Sequence, residues 1–407
     1  MTIAGNHRPE RLPRLWLTAM VGLLLLWRIV VVGIDAMRGP NDAAEPEAAR
    51  TPSDAPLAAP ALRDHLARNP ADGLAMRQLA RALDREGKRD EAGAAMRQAL
   101  RLAPTDRQTL QQAADYFLRA GSNLHGLLVL RRLVDLYPAD RDAVWPMFTK
   151  AAASGSTNDF FDGAARENPA WWQPFFRYAC ANAADADGVR RMLMARVDAG
   201  VATDEDRRCV IARLERDGRW TDAYRLWLVT LPSTQRERVG ALFNGGFEFP
   251  MSNLGFDWIL PVQDGVTVDT PPIEGAGGRH ALQVLFAGRR YAEPPVYQQL
   301  MLVPGAYRLE FRGRADGMDS SVGAQWGVYC MVPPVREPRP LMRSDRFIGS
   351  FDWMDFRYDF TVPKDCSVQV LRLELASPRR ETAMPGTAAA RLRGRLYFDD
   401  FTVRIRE

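Results

Sequence analysis

Side chains able to move protons or ligate metals are scarce in this sequence and poorly spaced for either task. Histidine occurs only at His7, His65, His125 and His280, too scattered to build a metal centre or to pair with a serine nucleophile. No GxSxG, Walker A, GxGxxG or HExxH pattern is present. Asp399-Asp400 imitates the carboxylate pair of a glycosidase. Neighbouring strand residues point to opposite faces, however, so these two are not expected to flank one bond. The chain is therefore expected not to be an enzyme. The four cysteines contain no CxxC, which argues against a zinc ribbon or a thioredoxin-type site. Cys180 with Cys209, and Cys330 with Cys366, are candidate disulfides in an oxidising compartment, although spacing alone does not establish a pairing.

The elements that would position these residues fall into distinct stretches. At 407 residues the chain has room for two or three domains, and an apolar fraction of 46% is ordinary for a packed core. A net charge of only +4 does not argue for a nucleic-acid partner, and none is expected. Lysine is confined to Lys88, Lys150 and Lys364. The excess of arginine reads either as coding bias or as an Arg-specific polyanion site.

Residues 1–14 read as a cytoplasmic tail, 15–34 as a transmembrane anchor and 35–60 as a linker. Leu15 to Ile34 is twenty residues with Arg28 its only charge, about long enough to cross a bilayer. His7, Arg8, Arg11 and Arg14 precede it, and Asp35, Asp42, Glu45 and Glu47 follow. The positive-inside rule then leaves the N-terminus in the cytoplasm and the rest outside. The competing reading is a cleaved signal peptide with Leu15 to Trp27 as its apolar region, but no small-x-small cleavage site follows closely. Arg28 costs roughly 2.5–3.5 kcal/mol near a helix centre. It reads either as a contact with an acidic group of a membrane partner or as a side chain snorkelling to the headgroups. Ala, Pro, Asp and Glu dominate Gly39 to Pro60, a linker composition.

From 61 to 232 the period is helical. Asn69-Pro70-Ala71-Asp72, Ala103-Pro104-Thr105-Asp106 and Tyr137-Pro138-Ala139-Asp140 step by 34 residues, the signature of a helix–turn–helix array. Met76, Leu79, Ala80 and Leu83, then Ala92, Met96, Ala99 and Pro104, fill the large, small and terminating positions of one such unit. Leu110, Ala113, Ala114 and Phe117, then Gly126, Leu130, Leu133 and Pro138, fill the next. These residues resemble the tetratricopeptide repeat family, without the Trp and Tyr of its first helix and with a bulky Leu133. About five hairpins are expected, with a groove that holds a protein partner. Trp171-Trp172-Gln173-Pro174-Phe175-Phe176 reads either as core or as a ligand-facing aromatic shelf.

From 241 to 407 the period changes to two. Tyr307, Leu309, Phe311 and Gly313 alternate with Arg308, Glu310 and Arg312, one buried and one wet face. Eight strands are predicted: 266–269, 281–286, 296–303, 305–314, 324–331, 355–362, 368–375 and 395–405. Many short strands with turns between them imply a sandwich. Asn244-Gly245-Gly246-Phe247-Glu248, Trp258, the run Gly305–Phe311, Trp353 with Phe356–Phe360, and Gly394–Phe401 resemble, in that order, jelly-roll carbohydrate-binding modules and their galactose-binding-like relatives. The resemblance implies a structural calcium held by Glu248 and Asp399 or Asp400, tying the first strand to the last. The plain alternative is a surface Glu248 and a turn-capping Asp pair. It also implies a glycan site, for which Trp326, Tyr329, Tyr291, Tyr297 and Trp353 are candidates, since amphipathic rings stack on sugar faces. Core packing competes for each of them, with Trp258 and Trp353 the most core-like tryptophans.

The expected fold is therefore multidomain: a transmembrane helix, a tetratricopeptide-like solenoid and an all-β jelly-roll sandwich. The expected role is a non-catalytic, membrane-anchored periplasmic scaffold at the bacterial inner membrane, in the synthesis or export of cell-surface polysaccharide. The repeats would hold a protein and the sandwich a polysaccharide. The alternative is an assembly factor for an envelope complex in which the sandwich is purely structural.

Overall fold

The computed structural model describes residues 58–289, 295–320, 322–331, 339–376 and 392–406. The expected anchor, Arg28 and Tyr291 lie outside the described residues. Among those described, no helix is long and apolar enough to cross a membrane.

The first half is helical. A single helix, α1 (Ala59–Arg68), precedes five hairpins among the described residues: α2 (Gly73–Arg85) with α3 (Arg89–Leu102), α4 (Arg107–Arg119) with α5 (Asn123–Leu136), α6 (Arg141–Ala152) with α7 (Asn158–Glu167), α8 (Trp172–Asn182) with α9 (Asp187–Asp198), and α10 (Asp204–Arg216) with α11 (Trp220–Thr230). The 34-residue period has a local cause at both ends of the first helices. Asp72 caps α2 by accepting from the Ala75 N–H, and Asp106 caps α4 by accepting from that of Thr109. The third aspartate, Asp140, caps nothing through its side chain. It is buried and accepts from Arg107 of the preceding hairpin. At the far ends, Gly87 and Gly121 both take φ +76°, and the amides beyond them, at Lys88 and Ser122, donate back to Leu83 and Phe117. That helix-ending turn favours glycine because a Cβ is strained there.

Between hairpins, small residues allow close approach: Ala80, Ala92 and Ala99 are fully buried. The aromatic run is core rather than a shelf. Trp171, Trp172, Phe175 and Phe176 are buried and pack on one another and on Trp145, Phe148 and Phe161. Cys180 on α8 is bonded to Cys209 on α10, stapling two hairpins. A buried ion pair lies nearby. Arg196 meets Asp206 at 2.9 Å, and Asp206 also closes a capping box with Thr203.

The second half is an antiparallel sandwich. One sheet has the order β1 (Val266–Asp269), β2 (Leu282–Ala287), β9 (Arg393–Ile405), β4 (Gly305–Asp319), β7 (Gly349–Val362). The other runs β3 (Tyr297–Leu300), β8 (Gln369–Leu375), β5 (Ala324–Cys330), β6 (Arg339–Arg343). Strand β6 is absent from the eight predicted strands. Its sequence, Arg-Pro-Leu-Met-Arg, lacks the alternation of a half-buried strand, as an edge strand can. The core between the sheets includes Trp258, Trp326, Phe311, Phe398 and Phe401. Cys330 and Cys366 are bonded.

The halves meet through apolar surface. Trp227 of α11 is buried, with its ring 5.3 Å from that of Phe243 and 5.8 Å from that of Phe256. It lies against Gly255, where a Cβ would crowd the indole.

Candidate functional site

Alternation in the four-stranded sheet sends Ala324, Trp326, Val328 and Cys330 of β5, with Leu371 and Leu373 of β8, into the core. The intervening residues must then point outward. Register places Tyr297, Arg372, Gly327 and Arg343 opposite one another across all four strands. Tyr329, Gln325 and Glu374 stand beside that row.

These side chains form one network. The Tyr329 ring lies across Gly327, where a Cβ would collide with it. The Tyr329 hydroxyl donates to Glu374 Oε1 and accepts from Arg343 Nε at 3.0 Å. Arg372 donates to Glu374 Oε2 at 2.9 Å and sets its guanidinium 4.0 Å above the Tyr329 ring. Gln325 Nε2 donates to Glu374 Oε1 at 3.2 Å. Burial and the adjacent Glu374 raise the Tyr329 pKa, and the bond from Arg343 to that hydroxyl raises the Arg343 pKa. The phenol therefore stays neutral and the guanidinium charged at ordinary pH. A guanidinium about half exposed beside a mostly buried carboxylate offers donors and acceptors fixed at defined positions. That is the equipment for holding a hydroxyl-rich ligand.

The predicted glycan residues separate on this frame. Tyr297 and Tyr329 share the outer face, with Arg372 between them. Tyr329 is only 2% exposed and its ring is covered by Arg372, so it positions charge and is not the stacking platform predicted. Trp326 points inward, fully buried against Trp258, Phe398 and Phe401, and presents no face to a ligand. Trp353 is on the other sheet, partly exposed with Arg312 above it and its indole N–H donating to the Glu274 carbonyl. It is less core-like than expected, whereas Trp258 is fully buried. Sequence reasoning missed Arg343, Arg372, Glu374 and Gln325. The alternation Val370, Arg372, Glu374 against Leu371, Leu373, Leu375 carried the signal for two of them.

The five-stranded sheet turns a different face to solvent. Arg308 pairs with Asp359 at 2.7 Å, Arg406 with Asp359 at 2.9 Å and Arg357 with Glu310 at 3.4 Å. Exposed pairs of this kind contribute little stability.

Glu248, Asp399 and Asp400 converge on one loop. Glu248 Oε1 accepts from the N–H groups of Arg279 and His280 at 2.7 and 2.9 Å. Asp399 Oδ2 accepts from Gly277 at 2.6 Å, and the Asp400 carboxylate lies where a Cβ of Gly277 would be. Asp400 takes φ +55° at a bulge in the β4–β9 register. The bulge breaks strict alternation, so the opposite-faces expectation fails here and both carboxylates reach Gly277. The His280 amide is the largest influence holding the Glu248 carboxyl below its usual range. Burial pushes Asp399 up to about 6, and the negative charges of Asp400 and Glu248 add to the rise. Three hard carboxylates suit calcium, yet three of their oxygens already accept backbone N–H groups. Among the described residues no group of three His, Cys, Asp or Glu side chains is arranged to hold a metal ion.

The array carries a groove of about 290 Å³ between α2, α3 and α4. Arg81, Arg85 and Arg119 face Asp84 and Asp115 there, and Gln112 Oε1 is buried without a partner.

No protein-family model matches the sequence, and no curated protein matches it. Among solved structures, the chain is similar over its β region to a family 4 carbohydrate-binding module, at 17% identity over 40% of this chain and 99% of that one, with a TM-score of 0.29. It is also similar to a xylan-binding domain of Paenibacillus barcinonensis, at 15% identity over 36% of this chain and 85% of that one, with a TM-score of 0.27. A third is a family 61 module solved with β-1,4-galactotriose, at 16% identity over 41% of this chain and 99% of that one, with a TM-score of 0.26.

Proposed function

We propose that the protein is a non-catalytic adaptor that binds glycan on the outer face of its four-stranded sheet and a protein in the groove of its helical array. The observation that carries this reading is the Tyr329–Glu374–Arg372–Arg343 network. It is an ordered, hydrogen-bonded polar cluster on a sheet face whose opposite side is the core. Its charges are held in place by one another and by Gly327. The mixed-charge groove between α2 and α4 suits an extended peptide, whose amides both donate and accept. In this reading Leu15 to Ile34 anchors the chain in the inner membrane, the body is periplasmic, and the repeats are of tetratricopeptide type. A structural calcium at Glu248, Asp399 and Asp400 would have to displace the backbone N–H groups that these carboxylates accept from. The pathway is the synthesis or export of surface polysaccharide.

Screening the full chain against a panel of neutral and acidic bacterial glycans tests this, first with calcium and then with chelator. Binding to at least one class is expected. Absence of binding in both conditions removes the glycan role.

One observation favours a second reading, in which the sandwich is structural in an envelope assembly factor. Trp227, Phe243 and Phe256 seal the last hairpin against the sandwich, which is how a solenoid end is kept from water. In that case Trp227→Ala would impair assembly while Arg372→Ala would not.

A further inference from the structure

The array and the sandwich also enclose a cleft of about 170 Å³, lined from α10 by Arg208 and Glu215 and from β3 by Tyr297 and Gln299. That is several times the space one water needs. Its polar groups are incompletely matched. Gln298, next in the chain, has both amide atoms bonded to the Phe243 backbone. Gln369 likewise bonds Leu302 and Cys366. Gln299 and Glu215 both line the cleft, and Gln299 Oε1 is buried without a partner. Buried groups left so are rare and costly, and they ask for a ligand or solvent. Burial also pushes Glu215 up to about 7, the mark of a carboxyl poorly served by donors. At the mouth, Arg208 is exposed and donates a long 3.4 Å bond to the Asn253 carbonyl.

The geometry points to a saccharide subsite at this junction that takes one uncharged pyranose residue. An anionic ligand would meet Glu215 and the amide oxygen, and a cation would meet Arg208. Hydroxyl groups can donate to Gln299 Oε1 and Glu215 while accepting from Arg208. Tyr297, at the edge of the outer face, supplies a ring beside them. The subsite joins both halves of the molecule, so its occupant would hold the array against the sandwich. It adjoins the Arg372 cluster through Tyr297, the register partner of Arg372, but Glu215 and Gln299, the groups that mark it, make no hydrogen bond with that cluster.

The test is saturation-transfer NMR on the full chain with the methyl glycosides of glucose, galactose and mannose. Two variants address the cleft from opposite directions. Gln299→Leu removes the unmatched amide, and Ala212→Trp fills the space from an exposed helix position. The expected result is transfer to at least one glycoside, weakened about tenfold or more by each cleft variant and unchanged by Arg357→Ala on the five-stranded sheet. Absence of transfer to all three, retention in either cleft variant, or loss on Arg357→Ala would overturn the proposal. Retention of cleft binding when the glycan panel fails would leave this subsite standing and remove only the outer-face reading.

Discussion

Raising the pH from 5 to 7 should destabilise the folded chain through two buried carboxyl groups, Asp399 in the sandwich and Glu215 on α10, and the share of Asp399 can be isolated. The Asp399 side chain is fully buried, and two backbone N–H bonds, from Gly277 and Asp400, only partly offset the loss of water. The pKa rises from 3.8 to about 6, and at about 1.4 kcal/mol per unit this amounts to about 3 kcal/mol in all, of which roughly 1.3 kcal/mol falls between pH 5 and 7. Because the folded state holds the proton more tightly, that stability is fully present below about 4 and is lost as pH rises through about 6. Asp399→Asn should therefore flatten the dependence of the urea midpoint on pH between 5 and 7, measured in chelator by near-ultraviolet circular dichroism. The slope is the quantity to compare, because Asn gives up one acceptor and so loses about 1 kcal/mol at every pH. Calcium should flatten the wild-type slope as well, since a cation favours the ionised carboxylates. Equal slopes for wild type and Asp399→Asn would refute the reasoning.

Other perturbations probe the frame. Asp206→Ala leaves Arg196, 1% exposed, without its carboxylate, and should cost about 3–5 kcal/mol in a urea titration. Reducing Cys330–Cys366, which closes a separation of 36 residues, should cost the sandwich about 4 kcal/mol on the loop-entropy model, read as a lower thermal midpoint in dithiothreitol. Trp227→Ala should cost about 3–5 kcal/mol and raise amide exchange in residues 243–256 before it does so in α2 and α3.

Much of the architecture was legible because it rests on local rules. The 34-residue step is visible in the sequence because Asp72 and Asp106 each cap a helix and Gly87 and Gly121 each end one. The wet and dry faces of β4 and β8 follow from alternation alone. The site was less legible because it depends on register and on which face each strand shows. Trp326 and Tyr329 lie three residues apart on one strand and so fall on opposite faces, yet both read as candidate platforms. Arg343 was invisible because β6 has no alternating pattern. The convergence of Asp399 and Asp400 depends on a bulge at Asp400, a backbone feature that residue types do not announce. The Glu215–Gln299 cleft joins an array helix to a sandwich strand, a packing that neither period encodes.

The central claim is that the outer face of the four-stranded sheet binds glycan through its arginine–carboxylate network. Titrating the best glycan from the panel into wild type, Arg372→Ala, Arg343→Ala and, as a control on the opposite sheet, Arg357→Ala tests it most directly. The account predicts at least tenfold weaker binding for the first two variants and wild-type affinity for the third. Equal affinity in all four proteins would contradict it.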